Sequence, residues 1–355
     1  MRRLTVVQLL PALGNGGVER STLEIADALV RAGHRSIVVS AGGRMLEELL
    51  ACGSEHSLLA IGRKSPAVLA AVPRLRDLLA RWRPDIVHAR SRLPAWVGLL
   101  ALRGLDPRPH FLTTVHGLNS PGRYSAVMTR GERVICVSET VRRHVLAQWT
   151  RTPAERLVVI ERGLDAERFV TQPTRRRDDG PPRLLLPARG TRLKGHAEAI
   201  TLLADLRARD CPAHLDLLGA REPGREQYVA ELERHAAALG VGDALRVLPP
   251  VADMAAAYRD CDLVLQLSTR AESFGRTVVE ALACGRPVVG WDLGGVGESL
   301  ARYFPAGRVP CGDRLALRDT TLSLLAHPAP IPPPAAPTLA DMQANTLKVY
   351  ESIVA

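Results

Sequence analysis

The chain has 355 residues, of which 46% are hydrophobic, and its formal net charge is +10. This length favours two domains of about 100–200 residues each. The longest apolar runs, such as 94–102, are well short of the ~18 residues of a membrane-spanning helix. The six cysteines include no CxxC pair. We therefore expect a cytoplasmic protein with reduced thiols, and neither a zinc site nor a disulfide framework.

The positive charge lies entirely in the first half of the chain. Residues 1–172 carry 25 Lys and Arg against 15 Asp and Glu, and the remainder carries 22 against 22. A basic first domain favours an anionic partner, such as acidic lipid headgroups or a phosphorylated acceptor. An arginine-rich composition without any such partner is the alternative. Nucleic acid is not expected, because aromatic residues make up only 4% of the chain and no binding motif is present.

In the first half, short apolar runs alternate with segments of helical periodicity. The runs predict strands at 4–10, 36–40, 84–88, 111–115, 134–137 and 157–160, with a helix at 18–32. The alternation is typical of a parallel, doubly wound sheet. Residues 171–182 break it with charge, Gly and Pro, and are predicted to be a linker.

The same rhythm restarts after the linker. Strands are predicted at 183–186, 215–219, 245–248, 263–267 and 288–289, a Pro-rich connector at 327–337, and a last helix at 339–354. The predicted fold class is therefore α/β, with two Rossmann-like domains. The first domain spans 1–170 and the second spans 183–338.

Residues 272–298 carry the strongest functional signal. Glu272 precedes a Phe274-Gly275 turn, a helical run holds Glu280, and a strand and a Gly294-Gly295 turn follow. Four acids and six glycines in so short a span suit a site for a hydroxyl-rich, phosphorylated ligand better than a packed core.

A Gly-rich turn, Asn15-Gly16-Gly17, joins the first strand to the first helix. Glycines at such a place let the backbone approach an anionic ligand at a helix N-terminus. The dinucleotide fingerprint is incomplete, because Glu19 stands at its third position and Ser40, not an acid, ends the second strand. A plain tight turn is the alternative interpretation.

Two further groups lie where strands end, and a third precedes a strand. Arg189 and Lys194 follow the first strand of the second domain and could hold a diphosphate, or could be solvated cations. His116 ends a strand on the edge where α/β proteins bind ligands, or is a structural histidine. Asp260-Cys261-Asp262 has the DxD spacing of a metal site, but it precedes a strand, and we interpret it as coincidence.

Together these segments resemble the retaining glycosyltransferases of family 4, which have the GT-B fold. The resemblance rests on residues 16–20, 84–88, 116–117, 137–139, 159–165, 189–195 and 272–298, including two glutamates, Glu272 and Glu280, separated by seven residues. Residues 89–96 and 124–131 are similar to a proteobacterial branch that acts on the lipopolysaccharide core. The chain departs from the usual family pattern at Arg162, where Asn is common.

The resemblance implies two domains facing across a cleft, with the helix at 339–355 crossing back to complete the first. It implies that His116 and Glu272 are catalytic, without a protein nucleophile. The implied donor-binding residues are Gly16, Gly17, Arg189, Lys194, Phe274, Gly275, Arg276 and Glu280. Candidates for contacting the acceptor are Arg90, Arg92 and Arg162. No cofactor and no metal ion are required.

The expected function is transfer of a hexose-type sugar from a nucleotide diphosphate to an anionic, membrane-linked glycan or lipid. The expected context is lipopolysaccharide core or related envelope polysaccharide synthesis, at the inner face of the cytoplasmic membrane. The alternatives are a nucleotide-sugar epimerase or phosphorylase of the same fold, and a non-catalytic GT-B partner subunit.

Overall fold

The computed structural model describes residues 2–14, 16–63, 65–171, 180–327, 329–331 and 336–355, and of Pro66 and Ala67 the backbone only. The chain forms two compact units, Met1–Gly163 with Leu339–Ala355, and Leu164–Thr338. The predicted first domain ran to residue 170, but Leu164 pairs with Thr338 and Phe169 is buried in the second core. Residues 164–170 therefore belong to the second unit. Most of the predicted linker, 172–179, lies outside the described residues, as do residues 328 and 332–335 of the Pro-rich segment.

The first unit contains a seven-stranded parallel sheet within its described residues. The strands are β1 (Thr5–Leu9), β2 (Arg35–Ser40), β3 (Glu55–Leu58), β4 (Ile86–Ala89), β5 (His110–Val115), β6 (Arg133–Cys136) and β7 (Leu157–Val159). Their order is β3-β2-β1-β4-β5-β6-β7. β1 and β4 are almost wholly buried, which explains their continuous apolar runs.

Helices pack on the two faces of this sheet. Before the second unit they are α1 (Gly17–Arg31), α2 (Leu46–Ala51), α3 (Ala71–Trp82), α4 (Arg92–Ala101) and α5 (Glu139–Gln148). The last helix of the chain, α12 (Leu339–Val354), packs beside α1. Met342, Val349 and Tyr350 of α12 enter the core formed by β1, β4 and α1. The prediction that this helix completes the first unit is confirmed.

The described residues of the second unit form a six-stranded parallel sheet. Its strands are β8 (Arg183–Pro187), β9 (His214–Leu218), β10 (Leu245–Leu248), β11 (Leu263–Gln266), β12 (Val288–Trp291) and β13 (Arg308–Val309). The order is β10-β9-β8-β11-β12-β13. Its helices are α6 (His196–Arg207), α7 (Glu226–Ala238), α8 (Met254–Arg259), α9 (Arg276–Ala283), α10 (Gly294–Tyr303) and α11 (Arg314–Ala326). The predicted Gly294-Gly295 turn is the start of α10, where Gly294 has φ +58°.

In both sheets the order in which strands are added reverses beside the first strand. β1 lies between β2 and β4, and β8 lies between β9 and β11. At such a reversal the connections leave to opposite faces, so a crevice opens beyond the carboxyl ends of the two central strands. The two Rossmann-like sheets confirm the predicted fold class and direct attention to the ends of β1 and β4, and of β8 and β11.

A buried hydrogen bond ties α12 to the first sheet. The Tyr350 hydroxyl lies 2.7 Å from His88 Nδ1, and Thr114 Oγ1 lies 2.7 Å from His88 Nε2. Tyr350 and His88 are both fully buried. Burial lowers the pKa of His88 well below its usual value, with the positive charge of Arg90 adding to the effect, so the ring is neutral at pH 7.

Removal of the Tyr350 hydroxyl is expected to destabilise the protein. In Tyr350→Phe one buried nitrogen of His88 loses its partner, and an unsatisfied buried polar group costs about 1–3 kcal/mol. Equilibrium urea unfolding should show this loss. Tyr124→Phe is the matched control because Tyr124 is 47% exposed, and it should change stability by less than about 0.5 kcal/mol. Equal stability of the two variants would contradict a structural role for this bond.

Candidate functional site

In the second unit a tight turn brings Lys194 against the end of β11. Lys194 ends a 3-10 turn (Arg192–Lys194), and Gly195 follows with φ +79°. A Cβ atom at Gly195 would collide with the carbonyl oxygen of Leu267, which directly follows β11. Only glycine fits this conformation and this close approach. The turn therefore fixes the lysine at the strand reversal.

Lys194 and Glu272 form an ion pair at this place. The Nζ–Oε1 distance is 2.6 Å, and the carboxylate side chain is 22% exposed. The Ser268 hydroxyl also donates to Oε1, at 2.5 Å, and Gln266 Nε2 lies 3.5 Å away. All these bonds go to one oxygen, so within the described residues Oε2 has no protein donor and is available to a ligand hydroxyl.

Glu280 is held differently from Glu272. Its Oε1 accepts from Arg276 Nε at 2.6 Å, its Oε2 accepts from the Tyr258 hydroxyl at 3.0 Å, and the residue is 8% exposed. Burial raises the pKa of Tyr258 well above its usual value, and the Glu280 charge raises it further, so this hydroxyl stays protonated and donates. Both oxygens of Glu280 are thus bonded within the unit. The two glutamates share no partner among the bonds found.

The second unit also holds Arg189, Phe274 and Gly275, three further residues predicted to bind the donor. Arg189 is exposed just beyond β8, and no side-chain bond to it is found in the described part of the chain. Phe274 is 8% exposed and belongs to the core, so only its backbone could face a ligand. Gly275 is the N-cap residue of α9, which begins at Arg276.

In the first unit the Gly-rich turn lies at the end of β1, with Asn15 outside the described residues. The carboxylate of Glu19 folds back so closely that a Cβ atom at Gly16 would collide with it. An acid therefore covers the N-terminus of α1, which disfavours a phosphate there unless Glu19 moves. The carbonyl oxygen of Gly17 accepts a hydrogen bond from Arg162 Nη1.

Arg90, one of the candidates for contacting the acceptor, is buried in the first unit. It is 3% exposed, and its Nη2 donates to the carbonyl oxygen of Ser21 at 2.7 Å. Its Nε lies 3.3 Å from the Thr22 hydroxyl, and its Nη1 lies 3.4 Å from the Thr114 hydroxyl. Arg92 lies apart from this group, bonded to the Ser125 hydroxyl at 3.3 Å and stacked over the Tyr124 ring.

His116 has one ring nitrogen bonded and one without a partner. Arg162 Nη2 lies 3.1 Å from His116 Nδ1. A guanidinium only donates, so Nδ1 accepts and the proton of the neutral ring resides on Nε2. Nε2 is buried and finds no acceptor among the described residues. Burial lowers the pKa of His116 well below its usual value, with Arg162 and Arg90 adding to the effect. His116 is thus a neutral donor.

Sequence reasoning missed several polar residues of these sites. Gln266 ends β11 and Ser268 lies two residues beyond it, Ser21 lies in α1, and Thr114 lies in β5. Polar residues at the end of an apolar strand were the available signal for Gln266 and Ser268. No group of three or more His, Cys, Asp or Glu that could hold a metal ion occurs in the described residues. Asp262 instead accepts from the backbone nitrogen of Arg183 at 2.7 Å, as a structural residue would.

None of the helices in the described part of the chain has the length and apolar character needed to cross a bilayer.

The two units match two consecutive family models. Residues 15–168 match Glycosyltransferase Family 4, and residues 169–330 match Glycosyl transferases group 1. A D-inositol 3-phosphate glycosyltransferase from Catenulispora acidiphila is 32% identical over 69% of this chain and 68% of its own length. One from Salinispora tropica is 34% identical over 66% of this chain, and the match spans only 55% of that relative.

Solved structures agree over nearly the whole chain. A glycosyltransferase from Rickettsia africae superposes with a TM-score of 0.85 and 27% identity, covering 100% of this chain and 99% of its own. HepE from Anabaena, in complex with UDP and glucose, superposes with a TM-score of 0.81 and 21% identity, covering 99% of this chain and 100% of its own. The lipopolysaccharide outer core galactosyltransferase WaaB superposes with a TM-score of 0.74 and 14% identity, covering 99% of this chain and 97% of its own. The last two likenesses show the shared fold. The chain is a glycosyltransferase of the GT-B type and belongs to glycosyltransferase family 4.

Proposed function

We propose that the chain transfers a hexose-type sugar from a nucleotide diphosphate, with retention of configuration, to an anionic glycan or lipid acceptor. The observation that supports this most directly is the Lys194–Glu272 pair at the reversal of the second sheet. Lys194 can bind a phosphate oxygen, and Glu272 can accept hydrogen bonds from sugar hydroxyls. Their charged atoms lie 2.6 Å apart, so one sugar phosphate could contact both.

The second unit suits the leaving nucleotide. Negative charge develops on the diphosphate as the glycosidic bond breaks, and fixed donors stabilise it without reorganising. We assign Lys194 and the exposed Arg189 to this charge, together with the backbone amides around Phe274 and Gly275 at the start of α9. Glu272 would accept from sugar hydroxyls through Oε2. Glu280 would accept from the ribose through a second lone pair of one oxygen, beside the internal bond that each oxygen already accepts.

We assign His116 to the donor sugar, following the family resemblance. As a neutral ring it adds no positive charge to an oxocarbenium-like transition state, and its Nε2–H is a ready donor for a substrate oxygen. Gly16 and Gly17 would offer backbone contacts once Glu19 swings aside.

The acceptor class is supported by charge. The excess of cations over acids in residues 1–172 suits an anionic, membrane-linked acceptor, such as the lipopolysaccharide core or a related envelope glycan, with the protein bound peripherally to the inner face of the cytoplasmic membrane. A second candidate is a free phosphorylated polyol, because the curated relatives are named for inositol 3-phosphate.

Loss of either member of the ion pair should abolish transfer in a folded protein. Lys194→Ala and Glu272→Ala are each expected to lower kcat at least about 100-fold, since a preorganised charge is removed. Turnover with UDP-, GDP- and ADP-sugars would be measured against a glycolipid extract and inositol phosphate, with urea unfolding as the check on folding.

Arg192→Ala is the matched control, because Arg192 lies in the same turn, is 73% exposed and pairs with Glu231. It should stay within about threefold of the unchanged protein, as surface pairs contribute little. Normal turnover in Lys194→Ala or Glu272→Ala would refute the proposal. Free nucleotide formed without a glycosylated acceptor would favour the phosphorylase or epimerase alternative, and failure to bind any nucleotide would favour a non-catalytic subunit.

We propose further that transfer needs no divalent metal ion. Lys194 and Arg189 supply the positive charge that a metal would otherwise bring to the diphosphate. Saturating chelator is expected to leave kcat unchanged within about twofold, measured at constant ionic strength. A loss that added magnesium or manganese restores would contradict this.

A further inference from the structure

A small cavity in the first unit has a positively charged lining. It has a volume of about 20 Å³ and is lined by Ser21, Ile25, Arg90, Thr114, His116, Ile135, Val137, Ile160, Arg162, Met342 and Thr346. Two of these side chains are cationic and none is a carboxylate. This volume holds one water molecule or one oxygen atom of a larger group.

The hydrogen-bonding groups of the cavity favour a ligand atom that accepts hydrogen bonds. The buried Nε2–H of His116 has no acceptor among the described residues, and the Thr346 hydroxyl donates to its own helix at 2.8 Å, to the Met342 carbonyl oxygen. Arg162 is positioned from two sides, by His116 and by the Gly17 carbonyl oxygen. An oxygen entering the cavity would therefore meet an unused N–H donor.

The positive charge beside the cavity favours a ligand oxygen that is negatively charged. The hydrogen bonds found for Arg90 all go to neutral oxygens of Ser21, Thr22 and Thr114, although its side chain is almost fully buried. Glu24 attracts Arg90 electrostatically, but it does not line the cavity. A buried charge whose hydrogen bonds go to neutral oxygens is costly, and an incoming anion would offset part of that cost.

We propose that this cavity binds an anionic oxygen, of a carboxylate or a phosphate group, carried by the substrate, and that Arg162 selects for it. The inference rests on the proposed function for the identity of the substrate. The anion would belong either to the donor, as the carboxylate of a uronate sugar, or to a phosphorylated acceptor.

The test compares matched ligands that differ only in one anionic group. Calorimetry on the full chain would measure UDP-glucuronate against UDP-glucose, and inositol phosphate against inositol. At least about tenfold tighter binding of the anionic member is expected in one pair, since hydrogen bonds to charged groups are the stronger class. A preference in the first pair places the anion on the donor, and one in the second pair places it on the acceptor.

Substitutions of Arg162 test whether its positive charge causes the preference for the anionic ligand. Arg162→Gln should lower that preference about tenfold or more, and Arg162→Lys, which keeps the positive charge, should retain more of it than Arg162→Gln does. Arg35→Gln is the control, because it removes one positive charge at the amino end of β2, where Arg35 pairs with Glu55. It should leave the preference unchanged.

No preference in either pair, or a preference that survives in Arg162→Gln, would overturn the proposal and leave a water-filled cavity. This outcome differs from failure of the proposed function. In that case no nucleotide sugar binds or reacts, and the inositol pair still reports whether the cavity selects an anion.

Discussion

The position of the first strand in each sheet is the constraint on which the rest depends. A parallel strand can continue only through a crossover, and β1 and β8 receive neighbours on both sides. The segments that leave β8 and β11 therefore end side by side, although Lys194 and Glu272 are 78 residues apart in the chain. The proposed sugar-phosphate site depends on this topology, because its cation and its carboxylate come from different segments of the chain.

Local backbone geometry makes that neighbourhood usable. Gly195 lets the turn press against Leu267, and Ser268 and Gln266 then hold one oxygen of Glu272. The carboxylate is thereby oriented before any ligand arrives, which reduces the entropic cost of binding. In the first unit Arg162 has the same role towards His116, whose tautomer it determines by donating to Nδ1.

The amino-acid sequence predicted the buried strands well, since strands covered on both faces are continuous apolar runs that end within a residue or two of the observed bounds. It did not reveal β3, an edge strand of Glu55–Leu58 that is half exposed and lacks such a run. Motif spacing marked Lys194, Glu272 and His116, but their bonds depend on strand order. The burial of Arg90 was not predicted, because nothing local distinguishes a buried arginine from a solvated one.

The bond between Tyr350 and His88 joins residues 262 positions apart and closes the first unit with the last helix of the chain. During synthesis the second unit is therefore complete as a continuous segment while the first still lacks part of its core. Until residues 342–350 emerge, the apolar surface of α1 and the ring of His88 remain uncovered. We therefore expect the N-terminal unit to be the later of the two to reach its native state, against the usual order of folding on the ribosome.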